Sequence, residues 1–202
     1  MRKAAGEAQG AEMVPPGGVV PPPKVFSMMP FLIEFRCGPL RVALREAVPA
    51  DRELLCRVYA STREEELAPV PWSAAQREEF LRMQFGVQDA YYRQNYPGVE
   101  FYVILIDGAE AGRIYLHERA EELRLMDIAL LPPFQRRGAG GALIKAVLDR
   151  ATAKALKVGI HVESFNPAMR LYTRLGFVEV GRSQVYVAME WNPGGPRPQP
   201  AA

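Results

Sequence analysis

The chain has few of the residues that build covalent or metal-held frameworks. It has two cysteines, Cys37 and Cys56, outside any CxxC pair, and two histidines, His117 and His161. That scarcity argues against a disulfide scaffold and supplies too few soft ligands for a zinc cluster, so no metal site is expected. Charge of one sign is lacking too: 25 Lys and Arg stand against 23 Asp and Glu, a formal net charge of +2, with the signs interspersed. Neither a nucleic-acid stripe nor a patch for an anionic membrane is indicated. No run approaches the roughly 18 uninterrupted apolar residues of a membrane span. Arg2 and Lys3 give a positive start, but the next residues are polar and broken by proline, which is not the pattern of a secretory signal peptide. A reduced, cytoplasmic protein, monomer or homodimer, is what these absences leave.

The content that is present suits one domain. With 202 residues and 49% hydrophobic content the chain can bury one substantial core. Both ends read as tails. Residues 1 to 37 contain Pro15-Pro16-Gly17-Gly18 and Pro21-Pro22-Pro23, which favour a disordered or polyproline-like leader. Met28 or Met29 is an alternative start. Residues 192 to 202, opening Asn192-Pro193-Gly194-Gly195-Pro196, read as a frayed tail. The domain is expected over 38 to 191.

Within it the periodicity gives a mixed α/β order: strand, two helices, three strands, helix, strand, helix, two strands. Leu40 to Ala47 alternates, and a helix over Asp51 to Thr62 buries Leu54, Leu55, Val58 and Tyr59. Ser73 and Gln76 have capping-box spacing, after which Phe80, Met83, Val87 and Tyr91 mark one helix face, read as core. Phe101 to Asp107, Ala111 to Glu118 and Leu123 to Leu131 form a meander whose first turn is Asp107-Gly108. A helix over Gly141 to Lys154 turns Leu143, Val147 and Ala151 inward.

Between the last two elements lies DIALLPPFQRRGAGG, residues 127 to 141. An apolar strand, a Pro-Pro brake and a glycine-rich turn open directly into a helix, whose first turn offers unpaired N–H groups and the positive dipole end to an anion. A Walker A loop is excluded, because no lysine followed by a hydroxyl residue stands at the required distance from Gly138 or Gly140. The dinucleotide fingerprint also fails, with Leu143 where its third glycine belongs. The remaining pattern, QxxGxG preceded by Leu130-x-Pro132, resembles motif A of the GNAT acetyltransferases. A second block, residues 158 to 177, runs from an alternating strand through Asn166-Pro167 into a short helix ending at Gly176-Phe177. Asn166 suits an N-cap, Pro167 the first helical position and Gly176 the left-handed position past the helix end. Asn166, Leu171, Tyr172, Gly176 and Phe177 resemble GNAT motif B, with Met169 where the family usually carries alanine.

The resemblance implies a GNAT fold of the α/β (α+β) class: a mixed, twisted central sheet of about six to seven strands flanked by about four helices. It also implies acetyl-CoA as cosubstrate and an amine-bearing acceptor. Its cradle would be Gln135, Arg136, Arg137, Gly138, Ala139, Gly140 and Gly141, with Asn166 and Met169 beside it. The backbone of Ile128, Ala129 and Leu130 would hold the pantetheine and polarise the thioester, and Tyr172 would protonate the leaving sulfur. No cysteine falls in either block, so direct transfer in a ternary complex is expected. An amine near its ordinary pKa of 10.4 must lose a proton before attack. His161, on the strand before Asn166, is a candidate base, and Asp127 and Glu163 are competitors. His117 reads as surface, and Glu64-Glu65-Glu66 as a solvated face in the region that closes over the acceptor. A non-catalytic acetyl-CoA sensor is the alternative. Arg63 to Trp72 and the loop around Gly181 to Ser183 are expected to shape the acceptor site without revealing the acceptor.

Overall fold

A computed structural model describes residues 34 to 195. Most of the expected leader and the end of the expected tail lie outside the described residues. Eight strands occur among those described: β1 (Glu34–Cys37), β2 (Leu40–Glu46), β3 (Val99–Ile106), β4 (Ala109–Glu118), β5 (Glu122–Leu130), β6 (Lys157–Glu163), β7 (Val178–Arg182) and β8 (Tyr186–Trp191). The helices are α1 (Arg52–Ser61), α2 (Glu64–Leu67), α3 (Ala74–Asn95), α4 (Ala139–Ala153) and α5 (Met169–Arg174). The mixed α+β class holds. The extra strand is β1, which lies ahead of the expected boundary at residue 38, and the extra helix is the single turn α2.

All eight strands form one sheet in the order β1-β2-β3-β4-β5-β6-β8-β7. Its pairs are antiparallel except β5 with β6, the two strands joined by the α4 crossover. The turn between β3 and β4 has Asp107 at φ 52 and Gly108 at φ 82, the two positive values that a tight hairpin of this hand requires. Both faces of the sheet are covered. Leu143, Ile144, Val147, Leu148 and Ala151 of α4 pack with Val158, Ile160 and Val162 of β6 on one face. Leu54, Leu55, Val58 and Tyr59 of α1, with Leu81 and Phe85 of α3, pack on Val103 and Ala129 on the other.

Helix α3 begins as its sequence suggests, with Ser73 Oγ accepting from Gln76 N and Gln76 Oε1 accepting from Ser73 N. Its inward face differs from the expected one. Phe80 packs against the core as expected, but Leu81 and Phe85 are the buried residues, whereas Met83, Val87 and Tyr91 are 54%, 63% and 45% exposed. The helix carries two apolar stripes, and the one chosen also brings Gln88 to the buried Arg113 of β4, which needs an acceptor. His117 departs from its surface reading as well: it is half-buried, its Nε2 lies 3.2 Å from Pro97 O, and its ring meets Tyr96 edge to face.

Two glycines define how closely the strands approach. A Cβ at Gly112 would overlap the backbone carbonyl of Ala129 on the neighbouring β5, while one at Gly159 would meet only the end of the Glu122 side chain. Gly112→Ala is expected to destabilise the fold by about 3 kcal/mol, and Gly159→Ala by about 1 kcal/mol or less, because backbone cannot yield as a flexible side chain can. Urea unfolding of both variants measures the contrast, and equal losses would show that the strand spacing is not fixed at Gly112.

Candidate active site

The site begins where the β5–β6 ladder ends. The two strands pair only from Glu122 opposite Lys157 to Leu125 opposite Ile160. On the other edge of β5 the register slips at this point, with Leu116 opposite Leu125 and Tyr115 opposite Asp127, so Met126 is an inserted residue. A bulge bends its strand and increases local twist. Here β5 turns away while β6 continues alongside β8 to Glu163. A fork opens between parallel neighbours. Ile128, Ala129 and Leu130 bond to β4 on one edge, and their other edge faces the fork without a strand partner.

Alternation assigns the side chains around this fork. Ile128 and Leu130 join the α4-side core, as do Val158, Ile160 and Val162. Asp127, His161 and Glu163 therefore project from the opposite face, towards α1 to α3. Tyr172 of α5 belongs to the α4 side, 7% exposed, its ring 5.6 Å from Phe177. The carboxylates and imidazole thus approach the fork from one side of the sheet and the phenol from the other. Burial first, and then the Asp127 charge, push the Tyr172 phenol up to about 12.

The cradle lies at the wide end of the fork. A 3-10 turn at Pro132–Phe134 ends β5, and Gln135 returns its side-chain amide to Leu130 O at 2.7 Å. Arg136 and Gly138 both adopt positive φ, 57 and 86. Gly138 is the N-cap of α4 and has no side-chain cap, and the first helical bond runs from Ala142 N to Gly138 O. The N–H groups of Ala139, Gly140 and Gly141 are therefore left for a ligand or solvent. A cavity of about 400 Å³ beside them is lined by Gly138, Gly141, Lys145, Leu171 and Arg174, together with Cys37 of β1. Arg136, Arg137, Lys145 and Arg174 form no ion pair among the described residues, whereas many of the chain's other cations do. Unpaired cations around uncapped helical N–H groups fit a polyanion such as the phosphates of CoA.

Helix α5 starts at Met169, later than the sequence suggested. Asn166 still caps the turn: its Oδ1 accepts from Ala168 N at 2.9 Å, and its carbonyl accepts from Met169 N at 3.1 Å. The tighter turn over residues 166 to 168 consumes the first positions of the expected helix. Gly176 takes φ 95 at the helix end, as expected, and Met169 packs against the core beside Tyr172.

Two arginines stand at the site: Arg63 opens the segment expected to shape the acceptor site, though the sequence does not show its ion pair, and Arg113 is not singled out by the sequence. Arg63, between α1 and α2, donates to Glu163 Oε1 at 2.8 Å and to Glu66 at 3.1 Å, tying the α1–α2 connection to β6. Arg113 is 1% exposed and binds Asp127, Gln88 Oε1 and Leu55 O. Desolvation opposes its charge, but the Asp127 carboxylate and the surrounding acceptors outweigh that and raise the guanidinium's affinity for its proton. Such a residue looks like an ordinary polar position in an alternating strand; only the α3 cover makes it buried. The helix α2 holds exposed Glu64, Glu65 and Glu66.

A phenol raised by burial favours the neutral form, so its contribution to stability is intact below the ordinary value near 10 and is lost as pH rises towards about 12. In an alkaline absorbance titration, Tyr172→Phe is expected to remove a late-ionising phenol and to leave the early part of the curve unchanged. Loss of amplitude near pH 10 instead would show that Tyr172 is well solvated.

Known proteins share this fold. The acetyltransferase (GNAT) family model matches residues 61 to 177, more than half of the chain. No curated protein sequence matches. Among solved structures, a PaiA N-acetyltransferase from Thermoplasma acidophilum in complex with coenzyme A superposes with a TM-score of 0.58 at 18% identity, covering 75% of this chain and 98% of that one. A ribosomal L7/L12 α-N-protein acetyltransferase gives 0.57 at 13% identity, covering 80% and 94%. The ribosomal-protein-S18-alanine N-acetyltransferase from Escherichia coli gives 0.52 at 18%, covering 75% and 94%. At these identities the neighbours establish the fold alone, and the family model adds membership. With fork, cradle and family model coinciding, the chain belongs to the GNAT acetyltransferase family and uses acetyl-CoA as its acetyl donor.

Proposed function

We propose that the protein is an N-acetyltransferase that passes the acetyl group of acetyl-CoA to a primary amine of a small molecule or peptide by direct attack in a ternary complex. The observation that carries this reading is the fork itself. It is an opening through the sheet with an anion cradle and Tyr172 reached from one face, and Asp127, His161 and Glu163 from the other. Donor and acceptor can meet there without sharing an entrance. Acetyl-CoA, when bound, supplies an acetyl group activated on a thiol that can leave.

The chain's own groups serve the remaining needs. N–H groups at the start of α4, with Arg136, Arg137, Lys145 and Arg174, hold the phosphates. The free backbone edge of Ile128, Ala129 and Leu130 lines the narrow arm and orients it. Gln135 locks the cradle to the end of β5, and Asn166 and Met169 set the position of α5 beneath it. Arg63 engages Glu163 and Arg113 engages Asp127; the imidazole of His161, on the same face of the sheet, is the group whose ordinary pKa suits it to accept the amine's proton near neutral pH. Tyr172, kept protonated by burial, gives its phenolic proton to the departing sulfur and recovers one from solvent. The new bond is N–C, the broken bond is C–S, and the amine's proton leaves through His161.

The domain proposed for this activity is residues 38 to 191, with β1 adding a strand at the sheet edge. Tyr172→Phe is expected to lower kcat by about 10²-fold, the ordinary size of a general-acid contribution, with acetyl-CoA affinity unchanged. Thiol release from acetyl-CoA with a panel of primary amines, beside a binding titration, checks both quantities. Tight binding with no turnover in the parent protein, and no effect of the substitution, would instead make the chain a cofactor sensor.

A further inference from the structure

The Arg113–Asp127 pair differs from the other ion pairs at the site in how its two ends are exposed. The Arg113 side chain is 2% exposed and that of Asp127 17%. The guanidinium carbon stands 5.6 Å from the Tyr59 ring, 5.8 Å from Phe85 and 5.0 Å from Tyr115. Its remaining contacts are Gln88 Oε1 at 3.1 Å and Leu55 O at 3.4 Å. The positive end is thus sealed inside the α1–α3 core. Asp127 gives Oδ2 to Arg113, and Oδ1 receives no hydrogen bond from any described residue. By contrast, the Arg63–Glu163 pair exposes its ends almost equally, 27% and 22%.

An ion pair oriented in this way presents a carboxylate oxygen to the fork while its neutralising partner is buried. The oxygen attracts a cation that can donate hydrogen bonds, at a place water reaches. Two further observations bear on the same place. The Tyr115 hydroxyl, on the residue opposite Asp127 in the β4–β5 ladder, is buried with the Arg113 guanidinium as its polar neighbour, and neither it nor Arg113 Nε makes a well-formed hydrogen bond, so these groups can take a further polar partner. The Tyr92 phenol, held in its neutral form by burial first and then by the Asp127 charge, lies within the range of the same carboxylate.

Resting on the acetyl-transfer reading above, we infer that Asp127 Oδ1 is the docking point of the acceptor, which binds as a protonated primary alkylamine, and that Arg113 is the positioning residue that holds this carboxylate at the fork. The ammonium form docks at Asp127 and then gives up its proton. Hydroxyl acceptors and aryl amines, uncharged at neutral pH, lack the charge this oxygen recognises.

The test titrates the CoA-saturated full chain with tyramine and with tyrosol, its neutral hydroxyl counterpart, using saturation-transfer NMR. Tyramine is expected to bind and tyrosol to bind at least about tenfold more weakly, the scale of a hydrogen bond to a charged group. Asp127→Asn should remove that preference while CoA affinity holds; its thermal midpoint falls because Arg113 loses its countercharge, so both proteins are titrated at a temperature well below the variant's midpoint. Arg113→Lys should weaken tyramine by less than Asp127→Asn, and the double variant should be no weaker than Asp127→Asn alone. Absence of tyramine binding, or equal binding of the two probes by the parent protein, overturns the docking assignment; additive losses overturn the positioning role. Failure of the parent protein to bind CoA would overturn the underlying reading instead, and the two failures are separately visible.

Discussion

The early end of the β5–β6 ladder is the constraint on which the site depends. A parallel pair inside a sheet ordinarily satisfies the backbone on both strands, and an unpaired buried group costs about as much as a lost hydrogen bond. Pairing stops at Leu125 and Ile160 because Met126 is inserted opposite β4 and bends β5 away. The peptide groups of Asp127 to Leu130 that face away from β4, apart from Leu130 O, which Gln135 engages, are therefore left without a strand partner, and the uncapped α4 N-terminus lies next to them. In the proposed reading, one elongated molecule with an amide-bearing arm and a polyanionic end would satisfy both. The fold is held rigid around this opening by cores on both faces, so the fork does not close by collapse.

Charge is distributed to match. Around the cradle, Arg136, Arg137, Lys145 and Arg174 form no ion pair among the described residues, whereas Arg150 and Lys154 at the far end of α4 are paired. On the α1–α3 side, each carboxylate at the fork has its own arginine. Breaking a buried pair of the Arg113–Asp127 kind by removing one partner typically costs about 3 to 5 kcal/mol, because the other charge remains in a poorly solvated place. A cost of that size makes the pair a fixed reference for whatever approaches from the acceptor side. The sheet thus separates an anion-binding face from a face with an oriented, partly exposed carboxylate, and the opening at the fork joins them.

The parts of this arrangement legible in the sequence are the local ones. The cradle, the Asn166 cap, the Gly176 helix end and the inward face of α4 each depend on residues within a few positions of one another, and all are visible as spacing. What sequence spacing did not show depends on pairing between distant segments. The bulge at Met126 exists only relative to β4. Arg113 looks like an outward polar residue between Gly112 and Ile114 until α3 covers it. Helix α3 offers apolar residues on more than one stripe, and the face that packs inward carries both Phe85 and Gln88, the latter an acceptor for the buried guanidinium. Glu163 is a candidate base by sequence, and its ion pair is not visible there because its partner, Arg63, is 100 residues away in the chain.

The most direct test of this account is an amide chemical-shift titration with acetyl-CoA. If the interrupted ladder and the uncapped helix form the donor site, the backbone amides of Asp127 to Leu130 and of Gly138 to Gly141 shift together and saturate with one dissociation constant, while those of Glu122 to Leu125, still paired with β6, hold nearly still. Shifts confined to another face of the sheet, or a cradle that responds while the β5 edge does not, would contradict it.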